Sequence, residues 1–73
     1  MEREILLRLL AEAEQSVAEG KAIIAQQQRL IVESERDGQD ASETMCLLEK
    51  SLRLLQSREE NRAKILDDLY EGS

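Results

Sequence analysis

Apolar residues recur along this chain at alternating steps of three and four residues, in two stretches separated by one short polar segment. This spacing is typical of helices that pack along a narrow seam, as in coiled coils. The predicted seam of the first stretch comprises Leu6, Leu10, Ala13, Val17, Gly20, Ile24, Gln27 and Ile31. The predicted seam of the second comprises Ala41, Met45, Leu48, Leu52, Leu55, Leu66 and Leu69.

The segment Arg36-Asp37-Gly38-Gln39-Asp40 is the only break in this pattern. Gly38 can adopt the left-handed conformation that ends a helix. Asp40 is a favourable N-cap, and Glu43 would complete an acidic variant of the capping box. We therefore predict helix 1 over about residues 2–36, a turn at 37–39 that includes Asp37 and Gly38, and helix 2 over about residues 40–70.

A loop this short forces two long helices to run antiparallel. Both apolar stripes then stay in register along most of their length. The sequence predicts one all-α domain over residues 1–73, an antiparallel, coiled-coil-like two-helix hairpin. The pairing expected about Gly38 places Ile31 opposite Met45, Ile24 opposite Leu52, Leu10 opposite Leu66 and Leu6 opposite Leu69.

The chain carries more apolar surface than one seam can cover. Burying one large apolar side chain contributes roughly 1.5–3 kcal/mol, so several left exposed together exceed the stability of a lone hairpin. We expect two-fold self-association into a four-helix bundle, with a different helical protein as the alternative partner. The residues flanking the seam are Leu7, Leu9, Ile23, Leu30, Leu47, Leu54 and Ile65.

Polar residues interrupt the predicted seam at two places. Gln27 lies opposite Leu48, and we expect a buried amide that pairs with its symmetry mate or a backbone carbonyl and fixes the register. A contact between Gln27 and a ligand is the alternative. Glu59 and Arg62 fall at inward positions of helix 2, where we expect a salt-bridged, partly wet layer with Glu14 in reach. A polar patch that receives a partner is the alternative there.

The composition removes most catalytic chemistry, because the chain contains no His and a single Cys. Phosphotransfer through His, imidazole catalysis and most zinc or di-iron bundle sites are thereby excluded. No Gly-rich phosphate loop or nucleophile elbow occurs. We expect Cys46 to be a structural residue at the edge of the seam, with a redox-sensitive thiol as the alternative. We predict no enzymatic activity, no catalytic or metal-binding residue and no cofactor.

The net charge of −6 argues against nucleic acid as the main partner. A dimeric helical hairpin of this size nevertheless resembles the plasmid RNA-binding proteins of the Rop type, so RNA binding is the alternative function. The basic strip that would serve it comprises Arg29, Lys50, Arg53, Arg58 and Lys64. The lone cysteine suits a reducing compartment, and the apolar segment near the start is too short to span a bilayer. We expect a cytoplasmic protein with no signal peptide and no membrane partner.

The residues on both sides of the turn carry a family resemblance. They are Ala18-Glu19-Gly20, Ile24, Gln27, Leu30-Ile31, Glu33, Arg36-Asp37-Gly38, Asp40, Ala41, Leu47-Leu48, Leu52, Arg62 and Ile65-Leu66. This pattern resembles a family of short, uncharacterised alphaproteobacterial proteins, over about residues 18–52 and more weakly to about residue 69. The resemblance implies a bacterial, cytoplasmic helical hairpin and brings no activity, cofactor or site residue. The Leu-rich residues 1–15 depart from the shorter members, so we expect a specialised contact there.

The predicted function is that of a non-enzymatic structural or protein-interaction module that acts through helix–helix association. One version is a self-associating module whose bundle surface binds a protein partner. The other is a small regulator that exchanges its own dimer partner for a helix of a target. The predicted interface residues are Leu6, Leu10, Val17, Ile24, Gln27, Ile31, Met45, Leu48, Leu52, Leu55, Leu66 and Leu69.

Overall fold

The computed structural model describes residues 2–71, which form two α-helices packed against each other. Helix α1 is Arg3–Arg36 and helix α2 is Ser42–Glu71. Together they form an antiparallel hairpin that measures 55 × 14 × 12 Å. The all-α helical hairpin predicted from the sequence is confirmed. Helix α1 ends at the predicted residue, whereas α2 begins later than predicted.

A Schellman arrangement around Gly38 ends α1. Gly38 has a φ of 73°, which glycine adopts without the penalty that a Cβ would bring. Its N–H donates to the Glu35 carbonyl at 3.1 Å, and the Gln39 N–H donates to the Ser34 carbonyl at 2.8 Å. Asp37, which precedes Gly38, is the C-cap residue of α1. These bonds satisfy carbonyls that the end of a helix leaves without a partner.

The start of α2 corrects the predicted N-cap. Ala41, not Asp40, holds that position, because the Ala41 carbonyl accepts the first helical hydrogen bond from the Met45 N–H at 2.9 Å. Asp40 lies one residue earlier, and its Oδ1 accepts bonds from the N–H (3.0 Å) and the hydroxyl of Ser42. The capping-box bond predicted for Glu43 does not form in residues 2–71. Ala41 is buried, and its burial at the head of α2 leaves Asp40 outside the helix.

The seam of α1 follows the prediction. Its buried residues are spaced by threes and fours along one face, with half-buried residues completing the stripe. The small side chains in the middle of the stripe let the two helices approach closely. The buried residues are Leu6, Ala13, Val17, Gly20 and Ile24; the half-buried ones are Leu10, Gln27, Ile31 and Ser34.

The seam of α2 is rotated from the predicted one. The predicted seam and the observed seam share Leu48, Leu55, Arg62 and Leu69. They differ in the second row of residues, which lies beside these four. The prediction chose Met45, Leu52, Glu59 and Leu66; the structure turns Thr44, Ser51, Arg58 and Ile65 inward. Met45 and Leu52 are 44% and 47% exposed, so their predicted pairing with Ile31 and Ile24 inside the hairpin is wrong.

Two side chains of α2 account for this rotation. Ile65 is the buried residue of α2, and it packs with Leu6 and Ala13 at the end of the hairpin opposite the turn. Turning the predicted face inward would expose Ile65 and withdraw the Glu59 carboxylate from water, both of which are unfavourable.

Apolar packing is concentrated away from the turn. The buried cluster of Leu6, Ala13 and Ile65 is extended by Leu9, Leu10 and Leu69. We call this part, residues 3–20 of α1 and 55–71 of α2, the open-end half. The turn-proximal half, residues 21–54, has Ile24 and Ala41 as its buried apolar residues. The hairpin is therefore packed unevenly along its length.

Candidate interaction surface

Seven large apolar residues of the turn-proximal half are exposed, and four of them share one heptad position on their helices. Ile23 and Leu30 of α1 and Leu47 and Leu54 of α2 have between 43% and 53% of their surface exposed. The members of each pair are one heptad apart and therefore lie on one stripe of their helix. We call these four residues the apolar strip.

Both pairs of the apolar strip lie on the same side of the hairpin. Each strip residue follows an inward residue of its own helix by three positions. Two antiparallel helices are related by an approximate two-fold axis perpendicular to the plane that contains them. Equal offsets from the seam therefore project on the same side of that plane. The strip is thus a single surface that runs across both helices.

Polar residues interrupt the seam beneath the apolar strip. Thr44 and Ser51 turn inward from α2, and Gln27 is half-buried on α1. The Gln27 Oε1 atom is buried and accepts no hydrogen bond within the described chain. A buried acceptor without a donor costs about 1–3 kcal/mol. Within residues 2–71 no backbone carbonyl accepts a hydrogen bond from the Gln27 amide, so that predicted partner is not found; the pairing of Gln27 with its symmetry mate stays a prediction.

Arg58 crosses from α2 to α1 at the middle of the hairpin. Its Nη1 donates to the backbone carbonyl of Ser16 at 2.7 Å in a half-buried position. Gly20 makes room for this crossing, because a Cβ there would lie 3.2 Å from Leu55 Cδ1 and 3.4 Å from Arg58 Nη1. A charged donor on a neutral carbonyl is a stronger hydrogen bond than a neutral pair. Arg58 therefore ties the two helices together at the border between the two halves.

The prediction that Glu59 and Arg62 form a salt-bridged layer is wrong. Glu59 is exposed, Arg62 is half-buried, and no ion pair or hydrogen bond joins them in the described part of the chain. The rotation of α2 explains the difference, because it brings Arg58 rather than Glu59 to the interior. The predicted basic strip loses Arg58 for the same reason. Its other members, Arg29, Lys50, Arg53 and Lys64, are exposed on two different helices.

An open groove lies at the other end of the hairpin, with a volume of about 290 Å³. Its lining consists of Arg3, Leu66, Leu69 and Tyr70. Leu7 is exposed in the same half. Arg3 and Leu7 belong to the Leu-rich residues 1–15, for which a specialised contact was predicted, and that contact stays a prediction.

Other chemistry is sparse in the described residues. No group of three or more potential metal ligands is gathered within residues 2–71. Neither of the two helices is long and apolar enough to cross a membrane. Cys46 is a free, exposed thiol on α2, rather than a residue at the edge of the seam as predicted, because the rotation of α2 moves it outward.

The predicted interface residues fall into two groups. Nine lie in the seam between α1 and α2: Leu6, Leu10, Val17, Ile24, Gln27, Ile31, Leu48, Leu55 and Leu69. Met45 and Leu52 are exposed on one flank of α2, and Leu66 is half-buried there. The members of the apolar strip were recognised in the sequence as surplus flanking residues, but not as one surface. Their common offset of three from an inward residue identifies this surface, and the offset is visible only once Thr44 and Ser51 are known to face inward.

Comparisons with models of protein families, with curated proteins and with solved structures gave no match for this chain. The resemblance to short alphaproteobacterial proteins stays a prediction.

Proposed function

We propose that this protein is a non-enzymatic, cytoplasmic interaction module that associates with other helices through its apolar strip. The observation that carries this proposal is the exposure of Ile23, Leu30, Leu47 and Leu54 as one surface. Burial of apolar surface contributes about 25 cal/mol per Å², and contiguous apolar patches on soluble proteins commonly mark interaction sites.

The small core of the lone hairpin supports the same proposal. Six apolar residues of the described chain are buried, three of them in the cluster at the open end. A chain of this size is close to the limit at which one core offsets conformational entropy. A second hairpin laid on the apolar strip would complete a four-helix bundle and enlarge the core. Homodimerisation is the association we expect, because two-fold dimers are the commonest oligomers.

Sedimentation equilibrium combined with circular dichroism tests this proposal. We expect the wild-type chain to be a helical dimer at micromolar concentration, with a melting temperature that rises with protein concentration. The variant Leu30→Glu/Leu47→Glu is expected to be monomeric, because it places charges in the middle of the strip. A wild-type chain that stays a folded monomer up to millimolar concentration would overturn the proposal.

A matched variant separates association from general damage. Val32 and Leu52 are also large and exposed, but they do not share the offset that defines the apolar strip. The variant Val32→Glu/Leu52→Glu adds the same charge and removes a similar apolar area. We expect it to remain a dimer. Loss of association in both variants would show that the strip has no special role.

A further inference from the structure

We infer that the apolar strip is covered by a second copy of this chain, packed with its turn at the same end of the bundle. This inference rests on the proposed helix–helix association and adds the direction in which the second copy packs. It draws on the position of the strip along the hairpin, on the charges that border it and on the buried oxygen of Gln27.

The apolar strip occupies only the turn-proximal half. The same offset continues into the open-end half at Ser16 and Leu9 on α1 and at Asn61 and Asp68 on α2, and the last two are exposed. If two hairpins overlapped fully with turns at opposite ends, each strip would cover Asn61 and Asp68 of the other copy. Desolvating an amide and a carboxylate against leucines is unfavourable. With both turns at one end, each strip covers the other strip.

The charges bordering the apolar strip differ between the two helices. The border consists of the residues three positions after each strip residue, together with those three positions after the residues at the same offset in the open-end half. On α1 it is acidic or neutral, at Glu12, Glu19, Gln26 and Glu33; on α2 it carries Lys50, Ser57 and Lys64 between Glu43 and Glu71.

These borders distinguish the two directions of packing. With turns at one end, the two-fold axis runs along the bundle, and α1 packs against α2 of the second copy. The register set by Ser16 with Arg58, and by Gly20 with Leu55, brings Glu12 level with Lys64 of the second copy. Glu33 and Glu43 are the like-charged pair in this arrangement, and they lie beside the turn.

Turns at opposite ends would instead place each helix against its own copy. If the two strips overlapped in that direction, Glu19 would approach Glu33 of the second copy, and the two Lys50 side chains would meet. Like charges facing one another suppress an arrangement. Packing in that direction is therefore disfavoured even when the strips are brought into contact.

The buried oxygen of Gln27 favours a second copy over an unrelated helix. Gln27 lies three residues before Leu30, on the side of the seam that the apolar strip occupies, and its Oε1 has no donor in the described chain. Two copies with turns at one end bring both Gln27 side chains to the same height. Each Nε2–H can then donate to the Oε1 of the other copy, so the two Gln27 side chains satisfy each other's buried oxygen.

Electron–electron distance measurements on spin-labelled protein test the direction of packing. In a Cys46→Ser background, Gln39→Cys labels the turn and Asp67→Cys labels the open end. Adjacent helices lie about 8–10 Å apart, so same-end packing predicts label distances of roughly 20–35 Å within each singly labelled sample. A mixture of turn-labelled and open-end-labelled chains should then give only distances beyond about 40 Å between unlike labels, since the hairpin is 55 Å long.

The outcomes separate the inference from the proposed function. A short distance between unlike labels, in a chain that sediments as a dimer, would overturn same-end packing and leave the proposed association intact. A wild-type chain that sediments as a monomer and gives no dipolar signal would overturn both.

The variant Gln27→Leu tests the paired amides. We expect it to raise the melting temperature by roughly 2–6 °C and to broaden the distance distribution between turn labels, because the polar contact that selects one arrangement is lost. Gln28→Leu, one position away and exposed, is the matched control and should leave the distribution narrow. A narrow, unchanged distribution in Gln27→Leu, or strong destabilisation, would contradict this role.

Discussion

The two halves of this hairpin belong to the same two helices, yet they are held together in different ways. In the open-end half, Leu6, Ala13 and Ile65 bury one another. In the turn-proximal half, inward-facing Thr44 and Ser51 leave a thin seam, and the large apolar residues lie beside it. A regular heptad pattern therefore does not imply uniform packing. The open-end half buries its apolar cluster between the two helices. The turn-proximal half leaves large apolar residues exposed, as one side of a larger core would.

The largest difference between the halves is expected from truncating one apolar residue in each. Ile65→Ala removes buried contacts and should lower the free energy of unfolding by about 2–4 kcal/mol. Leu54→Ala, at a half-exposed position, should lower it by less than about 1 kcal/mol in the monomer. Urea denaturation followed by circular dichroism at low protein concentration measures both values. Equal losses for the two variants would remove the distinction between the halves.

The same pair of variants becomes more informative when the protein is concentrated. If the apolar strip is covered by a partner, the loss caused by Leu54→Ala should grow with concentration. The loss caused by Ile65→Ala should change less, because its contacts lie within one chain. A Leu54→Ala effect that is independent of concentration would argue against association through the strip.

The turn links α1 to α2 at the end of the turn-proximal half. Gly38→Ala forces a Cβ into the left-handed region and should cost about 1–2 kcal/mol. No atom lies within 4 Å of that added Cβ, so the loss would come from the backbone alone. Gly38→Asn should cost less, because asparagine tolerates this conformation better. Thermal unfolding of the two variants gives the comparison, and an unchanged stability of Gly38→Ala would contradict the φ of 73°.

The border between the halves depends on Arg58. Arg58→Met should lower the free energy of unfolding by about 1 kcal/mol, because it removes a charged hydrogen bond that partial exposure already weakens. Arg53→Met, at an exposed position of the same helix, is the matched control with an expected change within about 0.5 kcal/mol. If both arginines contributed equally in chemical denaturation, the bond to Ser16 would have no energetic role.

The smallest expected effect is electrostatic and lies at the start of α2. The Ser42 hydroxyl, and then its backbone N–H, donate to Asp40 and hold the pKa of that carboxyl below its ordinary value of 3.8. A lowered pKa in the folded state means that Asp40 stabilises the fold above pH 4, and that this contribution is lost as the pH falls through the lowered pKa. Titration followed by nuclear magnetic resonance should show the shift. Ser42→Ala should bring the pKa back up, and Ser57→Ala should not.

The sequence was sufficient for the hairpin and for the face of α1. The glycine of the turn and the seven-residue spacing each constrain one local element, and local elements are what periodicity predicts well. The face of α2 was not predictable in this way, because Leu48 and Leu55 belong to both alternatives. The choice between them depends on Ile65 and Arg58, whose partners lie on the other helix. Such contacts are decided by packing across the hairpin, which spacing within one helix does not reveal.

The cluster at the open end also determines the order in which this chain can fold. Leu6 and Ile65 meet only after a loop of about 60 residues has closed, which carries a larger entropy of closure than any contact nearer the turn. Contacts beside the turn close a short loop but bury little apolar surface, so a half-zipped chain gains little stability. The lone hairpin should therefore fold in one cooperative step with no populated intermediate. A partner on the apolar strip would stabilise the contacts that form first, and the folding rate would then increase with protein concentration.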